Sequence, residues 1–367
     1  PSQPILRPSI MTPMRWDLFC RVVDNFGDIG VCWRLAADLG ARGEPVRLWV
    51  DDASALRWMA PHGAPNVQVG SWQAAAGSGT EPADVVVEAF GCDPPPDFVA
   101  RMARRTAPPL WINLEYLSAE AYAQRCHALR SPQLAGPGRG LDKWFFYPGF
   151  EPGTGGLLRE PGLMAAQRGF DKCAWLRHRG LTLRRGERAV SLFCYPNAPL
   201  HLLGPLLGDA PTLLLHPPAV AAPPAAAPRL RCVALPWLSQ PDYDRLLWAC
   251  DLNFVRGEDS FVRAQWAGKP FVWQIYPQHD AAHAAKLDAF LAHMLAGADP
   301  VLDGALRRLW HAWNGLAGQA GQADVSDPAA TLPPLPAWWA QVQGWRDRLL
   351  RQADLGTQLL GFAARKS

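Results

Sequence analysis

Two carboxylates four residues apart, Asp24 and Asp28, follow the first hydrophobic segment of the chain. Residues 16–23 are mostly apolar, and a turn rich in Asp, Asn and Gly then leads into a helix-forming stretch that begins at Val31. A strand, a tight turn and a helix form the first half of a βα unit, and ligands bind at the carboxyl end of such strands. The paired acids therefore predict a site that binds a cation or removes a proton.

The same turn does not fit a dinucleotide. A GxGxxG fingerprint lets a pyrophosphate approach backbone N–H groups, whereas residues 26–30 read Phe-Gly-Asp-Ile-Gly, and Asp28 would repel a phosphate there. The phosphate-binding pattern GxxxxGK[ST] does not occur in the sequence. The turn is thus predicted to face an acceptor substrate, with Asn25, Phe26 and Gly27 beside the acids.

A second candidate turn follows a predicted strand in the C-terminal half, where residues 256–260 read Arg-Gly-Glu-Asp-Ser and open a helix. The free N–H groups of a helix start and the Ser260 hydroxyl can hold phosphate oxygens, and Arg256 adds a charge-assisted donor. Glu258 suits a sugar hydroxyl better than a phosphate. Equally, Asp259 or Ser260 could serve only as the helix N-cap.

Aromatic and amide side chains at other predicted strand ends would surround the same crevice. The set comprises Phe193, Tyr195, Trp237, Gln240 and Tyr243. The rings could stack a base and the amide could bind its edge, although each residue taken alone is more often part of a core. A nucleotide-sugar in this crevice, with a nucleophile beside the paired acids, describes a two-domain glycosyltransferase.

Two series of alternating strands and helices must position these turns, which predicts parallel sheets covered on both faces. The predicted strands are 16–23, 45–50, 66–69, 84–90 and 109–114, then 188–195, 212–215, 230–234, 251–255 and 270–275. Glycine- and proline-rich residues 132–160 are interpreted as an interdomain segment. We expect an α/β protein with an N-terminal acceptor-side domain at 14–155 and a nucleotide-sugar-binding domain at 156–335. Helices at 336–367 are expected to pack back toward the first domain.

Composition narrows the class of protein. The 367 residues carry a net charge of +3, which is too small to indicate binding of nucleic acid or of a membrane surface. No segment reaches the roughly 18 apolar residues of a membrane span. The eight cysteines form no CxxC pair, which favours free thiols in the cytoplasm. His279 and His283 lack the HExxH glutamate, so neither a metal nor another cofactor is expected.

Four segments together resemble the bacterial protein-arginine rhamnosyltransferases that modify translation elongation factor P. They are residues 24–30 with Trp33 and Arg34, residues 113–118, residues 144–150 and residues 256–260. The resemblance runs from about Met14 to the C-terminus. It implies a GT-B fold, dTDP-β-L-rhamnose as the donor, one arginine of elongation factor P as the acceptor, and inversion at the transferred sugar.

The resemblance also implies roles for residues. Asp24 and Asp28 match the two essential aspartates of the family, and Glu258 matches its essential glutamate. Matches to its nucleotide-sugar contacts are Phe193, Tyr195, Gln240, Arg256, Asp259 and Ser260, while Trp237 and Tyr243 stand where the family often has Phe. Glu115 and Tyr116 are placed on the acceptor side. Asp28 is interpreted as the general base and Asp24 as its orienting partner.

Two other functions stay open at this point. The chain could be a different GT-B transferase with a small-molecule or lipid acceptor, or a two-domain binding protein without turnover. Two acids in the first turn favour a cationic acceptor over the first alternative. Their position beside a nucleotide-like crevice disfavours the second.

Overall fold

Two β-sheets form the centre of the molecule. The computed structural model describes residues 13–24, 26–220, 229–276, 282–316 and 332–366. The first sheet has seven strands in the order β3-β2-β1-β4-β5-β7-β6, all parallel except for the β6–β7 pair. Its strands are β1 (Trp16–Cys20), β2 (Val46–Val50), β3 (Val67–Ser71), β4 (Val85–Ala89), β5 (Leu110–Leu114), β6 (Arg130–Pro132) and β7 (Asp142–Phe146).

The second sheet has five parallel strands in the order β10-β9-β8-β11-β12. They are β8 (Arg188–Leu192), β9 (Thr212–His216), β10 (Leu230–Ala234), β11 (Leu252–Arg256) and β12 (Phe271–Gln274). Apolar strands such as β1, β4 and β9 are buried along their whole length. Burial on both faces is what a parallel sheet covered by helices requires.

Helices flank both sheets. Those of the first half are α1 (Gly27–Ala41), α2 (Leu56–Met59), α3 (Trp72–Ala76), α4 (Pro96–Arg104) and α5 (Ala121–Cys126). Those that follow are α6 (Leu163–Arg168), α7 (Lys172–His178), a 3-10 turn (Leu200–Leu202), α8 (Leu203–Leu207), α9 (Gln240–Ala249), α10 (Asp259–Ala267), α11 (Ala282–Met294), α12 (Pro300–Trp313), α13 (Leu335–Leu350) and α14 (Leu355–Lys366).

The strand orders decide where ligands can bind. In the first sheet the order reverses between β1 and β4, and in the second it reverses between β8 and β11. Crevices open at such switch points, outside the carboxyl ends of the strands. The turns after β1, β8 and β11 therefore lie where the sequence predicted chemistry.

Two local predictions differ from the structure. Residues 142–146, inside the predicted interdomain segment, form strand β7 and pair with β5, since tertiary pairing outweighs the flanking glycines and prolines. Helix α1 begins at Gly27 rather than at Val31. Asp28 consequently lies in the first turn of the helix and not in the loop before it.

The C-terminal tail divides between the two halves of the molecule. Helix α13 buries Trp338, Val342 and Trp345 in the core of the second sheet, and the chain then turns at 351–354. Helix α14 buries Leu359 and Phe362 in the core of the first sheet. The helical segment predicted at 336–367 therefore consists of two helices with different packing partners.

The return of the tail runs beside the outward connection between the sheets. The backbone N–H of Leu355 donates to the carbonyl oxygen of Leu157 at 3.0 Å, and Arg159 Nη2 donates to the carbonyl oxygen of Gln352 at 3.4 Å. Two segments of chain thus cross between the halves side by side.

None of the helices that the structure describes is long and apolar enough to cross a membrane. All eight cysteines are described, and all are free thiols.

Replacing Gly356 at the start of α14 tests how closely that helix packs on α1. A Cβ at Gly356 would overlap Oδ2 of Asp38, a carboxylate that is 1% exposed. We expect Gly356→Ala to lower the free energy of unfolding by about 1–3 kcal/mol, as overpacking does, measured by urea unfolding.

Gly344→Ala is the matched control. Gly344 lies exposed inside α13, and a Cβ there meets no atom within 4 Å. That change should stabilise the protein by about 0.5–1 kcal/mol through helix propensity. Equal stability of the two variants would contradict the close contact.

Candidate active site

Two pockets meet in the cleft between the sheets, and both are lined by Asp24 and Gly27. The first is an open pocket of about 790 Å³, counting the solvent space at its mouth, and is lined mainly by the second half of the chain, including Phe193 and Arg256. The second, also open and about 830 Å³ on the same basis, contains the carboxyl groups of Asp28 and Glu258. The predicted site is thus divided into a part with an arginine and a part rich in carboxylates, joined at Asp24.

Asp28 is held firmly at the start of α1. Its side chain is 2% exposed, and its Oδ2 accepts hydrogen bonds from the backbone N–H groups of Val23 and Asp24, both at 2.9 Å. The Tyr116 hydroxyl donates to Oδ1 at 3.3 Å. Burial raises the pKa of Asp28 above its ordinary value, although the two backbone donors oppose this. The carboxylate is therefore both oriented and more basic than a solvent-exposed aspartate.

Asp24 connects the two halves of the site. Its Oδ2 accepts a hydrogen bond of 2.7 Å from the hydroxyl of Tyr195, which follows β8 in the second half. Burial, and next the Asp24 charge, raise the pKa of Tyr195 well above its usual range, so the phenol keeps its proton and stays a donor. Gly257 has a φ of +61°, and a Cβ there would lie 2.9 Å from Asp24 Oδ2. Only glycine fits that conformation and that proximity without strain.

The turn after β11 supplies the cation of the first pocket. The guanidinium carbon of Arg256 lies 4.6 Å from the ring centroid of Phe193 and 4.5 Å from that of Tyr195. One of its nitrogens donates to the Cys194 carbonyl oxygen at 3.3 Å. The Ser260 hydroxyl bonds both to the backbone N–H of Arg256, at 3.1 Å, and to its carbonyl oxygen. A rigid arginine therefore stands beside the N-terminal end of α10, where anions are stabilised.

Glu258 faces the second pocket, although it belongs to the same turn as Arg256. Its Oε2 accepts a hydrogen bond of 3.0 Å from the backbone N–H of Leu117, in the first half of the chain. Burial raises the pKa of Glu258 to about 8; the Leu117 N–H lowers it, and the charges of Asp28 and Asp259 raise it further. At neutral pH the side chain is therefore largely protonated and can donate a hydrogen bond.

The other residues predicted to bind a donor line the first pocket. They are Phe193, Trp237, Gln240, Tyr243, Asp259 and Ser260. Two of them also form contacts that the sequence did not indicate: Gln240 donates its side-chain amide to the carbonyl oxygen of Gly30 at 2.9 Å, and Trp237 stacks on Trp58 with ring centroids 4.9 Å apart. The amide oxygen of Gln240 accepts no hydrogen bond from the residues that the structure describes.

The residues predicted on the acceptor side are distributed more widely. Tyr116 lines the second pocket and stacks on Phe90 with ring centroids 4.1 Å apart. Phe26 lines the first pocket instead, where its ring lies 5.7 Å from the Arg256 guanidinium carbon. Glu115 lines neither pocket, and its carboxylate accepts from Asn113 at 2.7 Å. Asn25 lies outside the described residues.

Some contributors to the cleft were not predicted as site residues. Trp58 and Met59 line the first pocket, and Tyr276 and Lys286 line the second. Arg34 lies behind the site and bonds to Asp259 at 2.7 Å. Arg34 belongs to the first of the four segments that carry the family resemblance. Its partners lie more than 100 residues away in sequence, so the neighbouring residues could not indicate its role.

Side chains that could ligate a metal do not cluster in the part of the chain that the structure describes. Among residues 13–24, 26–220, 229–276, 282–316 and 332–366, no group of three His, Cys, Asp or Glu side chains is arranged to hold a metal ion. His279 lies outside these ranges.

Comparisons with known proteins show the family of the chain. The family model described as elongation factor P (EF-P) rhamnosyltransferase EarP matches residues 16–364. A protein-arginine rhamnosyltransferase of Pseudomonas aeruginosa is 43% identical, over 95% of this chain and 98% of the relative. One of Pseudomonas putida is 47% identical, over 81% of this chain and 86% of the relative.

Two solved structures are similar to the chain, the first in sequence and fold and the second in fold alone. One that describes EarP-mediated arginine glycosylation of translation elongation factor EF-P is 33% identical, with a TM-score of 0.63, and the alignment covers 96% of this chain and 99% of that one. The calicheamicin glycosyltransferase CalG4, at 13% identity and a TM-score of 0.55, shares the fold over 97% of this chain and 100% of its own.

Two Rossmann-like domains with a site in the cleft between them define a glycosyltransferase of the GT-B class. Within that class the chain belongs to the EarP family of EF-P rhamnosyltransferases. It is an enzyme, a protein-arginine rhamnosyltransferase.

Gly257→Ala tests the close approach of the β11–α10 turn to Asp24. The added methyl group would push against Asp24 Oδ2 and the Tyr195 hydroxyl. We expect kcat to fall about 100-fold, because small displacements of reacting groups have effects of that size. Gly186→Ala is the control: its φ is +73°, but a Cβ there meets nothing within 4 Å. Both changes strain the backbone similarly, so equal losses of activity would contradict the proposed proximity.

Glu258→Gln tests the raised pKa through stability. The contribution of protonated Glu258 to the free energy of unfolding is fully present below the ordinary pKa of 4.5. It is lost as the pH rises through about 8, the pKa in the folded protein. Glutamine cannot lose a proton, so the variant should gain stability relative to the unmodified protein between about pH 5 and about pH 9. At about 1.4 kcal/mol per pKa unit, the gain between these two pH values should reach about 4 kcal/mol. Urea unfolding at both pH values measures it, and a pH-independent difference would refute the raised pKa.

Proposed function

We propose that the chain transfers L-rhamnose from dTDP-β-L-rhamnose to an arginine side chain of translation elongation factor P, with inversion at the sugar. The observation that carries the proposal is the pair of pockets joined at Asp24. One contains Arg256 and aromatic rings, and the other contains the carboxyl groups of Asp28 and Glu258 together with Lys286. An anionic donor and a cationic acceptor could thus meet at one point from opposite sides.

The first pocket suits a nucleotide diphosphate. Arg256, whose orientation is set by three aromatic rings, and the N-terminal end of α10 would hold the diphosphate and offset the charge that gathers on the departing dTDP. Tyr195, a hydroxyl donor at the junction, would assist. Phe193, Trp237 and Tyr243 offer faces on which thymine could stack. These groups provide charge stabilisation from the protein itself, so we expect no metal requirement.

The second pocket suits a guanidinium group. Arginine stays protonated because its pKa exceeds about 12, so it is a poor nucleophile until a base removes a proton as the new N–C bond forms. Asp28 is the proposed base, because it is oriented by three hydrogen bonds and its pKa is raised by burial. Asp24, bonded to Tyr195, would orient the acceptor. Protonated Glu258 could donate to a hydroxyl of the sugar.

The proposed reaction is a single nucleophilic displacement at the anomeric carbon of rhamnose. A guanidinium nitrogen attacks the anomeric carbon from the second pocket, and the bond to the dTDP oxygen breaks toward the first. Asp28 takes the proton from the nitrogen. We propose that this reaction takes place in the cytoplasm, a reducing compartment in which free cysteines persist.

The direct test is incubation of the protein with dTDP-β-L-rhamnose and purified elongation factor P, followed by mass spectrometry of the factor. We expect the mass of one deoxyhexose residue on one arginine. An unmodified factor from a folded preparation that binds dTDP would favour another acceptor, and failure to bind dTDP as well would favour a different donor.

Asp28→Asn should retain dTDP binding and lose transfer by a factor of about 100 to 10,000, the usual contribution of a general base. Asp97→Asn is the matched control, since Asp97 also lies in the first turn of a helix, α4, but lines neither pocket. The rate of rhamnose transfer under saturating donor measures both. Near-normal turnover by Asp28→Asn would remove Asp28 as the base.

A further inference from the structure

One arginine joins the two turns of the site, and the proposed reaction does not use it. Arg34 lies on α1, six residues after Asp28, and its side chain is 4% exposed. Its Nε donates to Asp259 Oδ1 at 2.7 Å, and Nη1 and Nη2 donate to the two oxygens of Asp244 at 3.2 and 3.0 Å. It also lies 3.4 Å from Glu160. A buried guanidinium of the first domain is therefore bonded to Asp244 and Asp259 of the second half of the chain and to Glu160 of the connection between the sheets.

Asp259 stands between two residues of the proposed reaction, Glu258 and Ser260, and is the first residue of α10. Within the described part of the chain, Arg34 is the one side chain that hydrogen-bonds its carboxylate. Arg263 cannot replace it, because Arg263 bonds Asp244 and Glu160 instead. The orientation of Asp259 thus depends on a residue from the other side of the cleft.

The backbones are close at the same place. A Cβ on Gly30 of α1 would lie 3.3 Å from the Cβ of Asp259. The carbonyl oxygen of Gly30 accepts the side-chain amide of Gln240, the first residue of α9. Helix α1, which carries Asp28 at one end, is therefore packed directly on the starts of α9 and α10.

The charge balance explains what Arg34 contributes. In the buried cluster, Arg34 and Arg263 face Asp244, Asp259 and Glu160. Without Arg34, three carboxylates would share one arginine, and a buried carboxylate without a cation is strongly unfavourable. Asp259 would turn away from Asp244, and the start of α10 would move with it.

We propose that Arg34 is a positioning residue that holds the turn at 256–260 in register with Asp24 and Asp28. Arg34, on a helix of the acceptor domain, thus aligns donor-side and acceptor-side groups together with the Tyr195–Asp24 and Leu117–Glu258 hydrogen bonds. This inference rests on the proposed function, since it concerns alignment of the same two pockets.

The test compares Arg34→Met and Arg34→Lys with the control Arg42→Met. Arg42 also lies at α1, at its C-terminal end, and pairs with Asp38 and Asp354 away from the pockets. We expect Arg34→Met to lower kcat for rhamnose transfer about 100-fold, as a misplaced reacting group does. Arg34→Lys should recover part of the lost kcat, since it keeps the positive charge. The recovery should be incomplete because one ammonium cannot bond three carboxylates at once. Arg42→Met should lower thermal stability and leave kcat within about twofold of the unmodified enzyme.

A double-mutant cycle separates positioning from general stabilisation. If Arg34 acts through Asp259, the loss of kcat in Arg34→Met combined with Asp259→Asn should be no larger than in Arg34→Met alone. Additive losses, or a normal kcat in folded Arg34→Met, would overturn the proposal. If Arg34→Met does not fold, Arg34→Lys and Asp259→Asn carry the comparison. An inactive unmodified enzyme in the same assay would instead refute the proposed function, so the two failures are distinguishable.

Discussion

The parallel direction of the strands is the constraint on which the site depends. Because every strand except β6 runs parallel to its neighbours, the turns that follow these strands lie at the same edge of each sheet, and the helices after them begin there. Helices α1 and α10 therefore both present N-terminal ends to the cleft. Such ends favour negative charge, so one can stabilise the carboxylate of Asp28 and the other can receive phosphate oxygens.

The guanidinium of Arg256 and the carboxylate of Asp28 lie in adjoining pockets of one cleft without forming an ion pair with each other. The structure keeps them apart by directing each to a protein partner: Arg256 lies against aromatic rings, and Asp28 accepts backbone N–H groups. Tyr195 is the bridge, since its hydroxyl donates to Asp24 while Arg256 lies over its ring. A neutral donor at this junction can serve either an anionic leaving group or an acceptor acid.

Local sequence was sufficient to indicate which turns the structure brings together in the cleft. The acids of the first turn and the Arg-Gly-Glu-Asp-Ser turn stand out because their side chains are unusual for the ends of buried strands. It was insufficient where function depends on tertiary contacts. Arg34 and Trp58 gain their roles from residues in the other half of the chain, and strand β7 forms by pairing with β5 and β6 on its two sides. The division of the tail into α13 and α14 likewise follows from two separate cores rather than from helical periodicity.

The double crossing between the halves limits how the enzyme can move. Segments near Leu157 and Leu355 run side by side and are joined by backbone hydrogen bonding. A single connection would allow one half of the molecule to rotate about it, whereas two adjacent connections resist rotation and translation of the halves. Two adjacent connections therefore restrain the relative positions of Asp24, in the first half of the chain, and Arg256, in the second, more than one connection would.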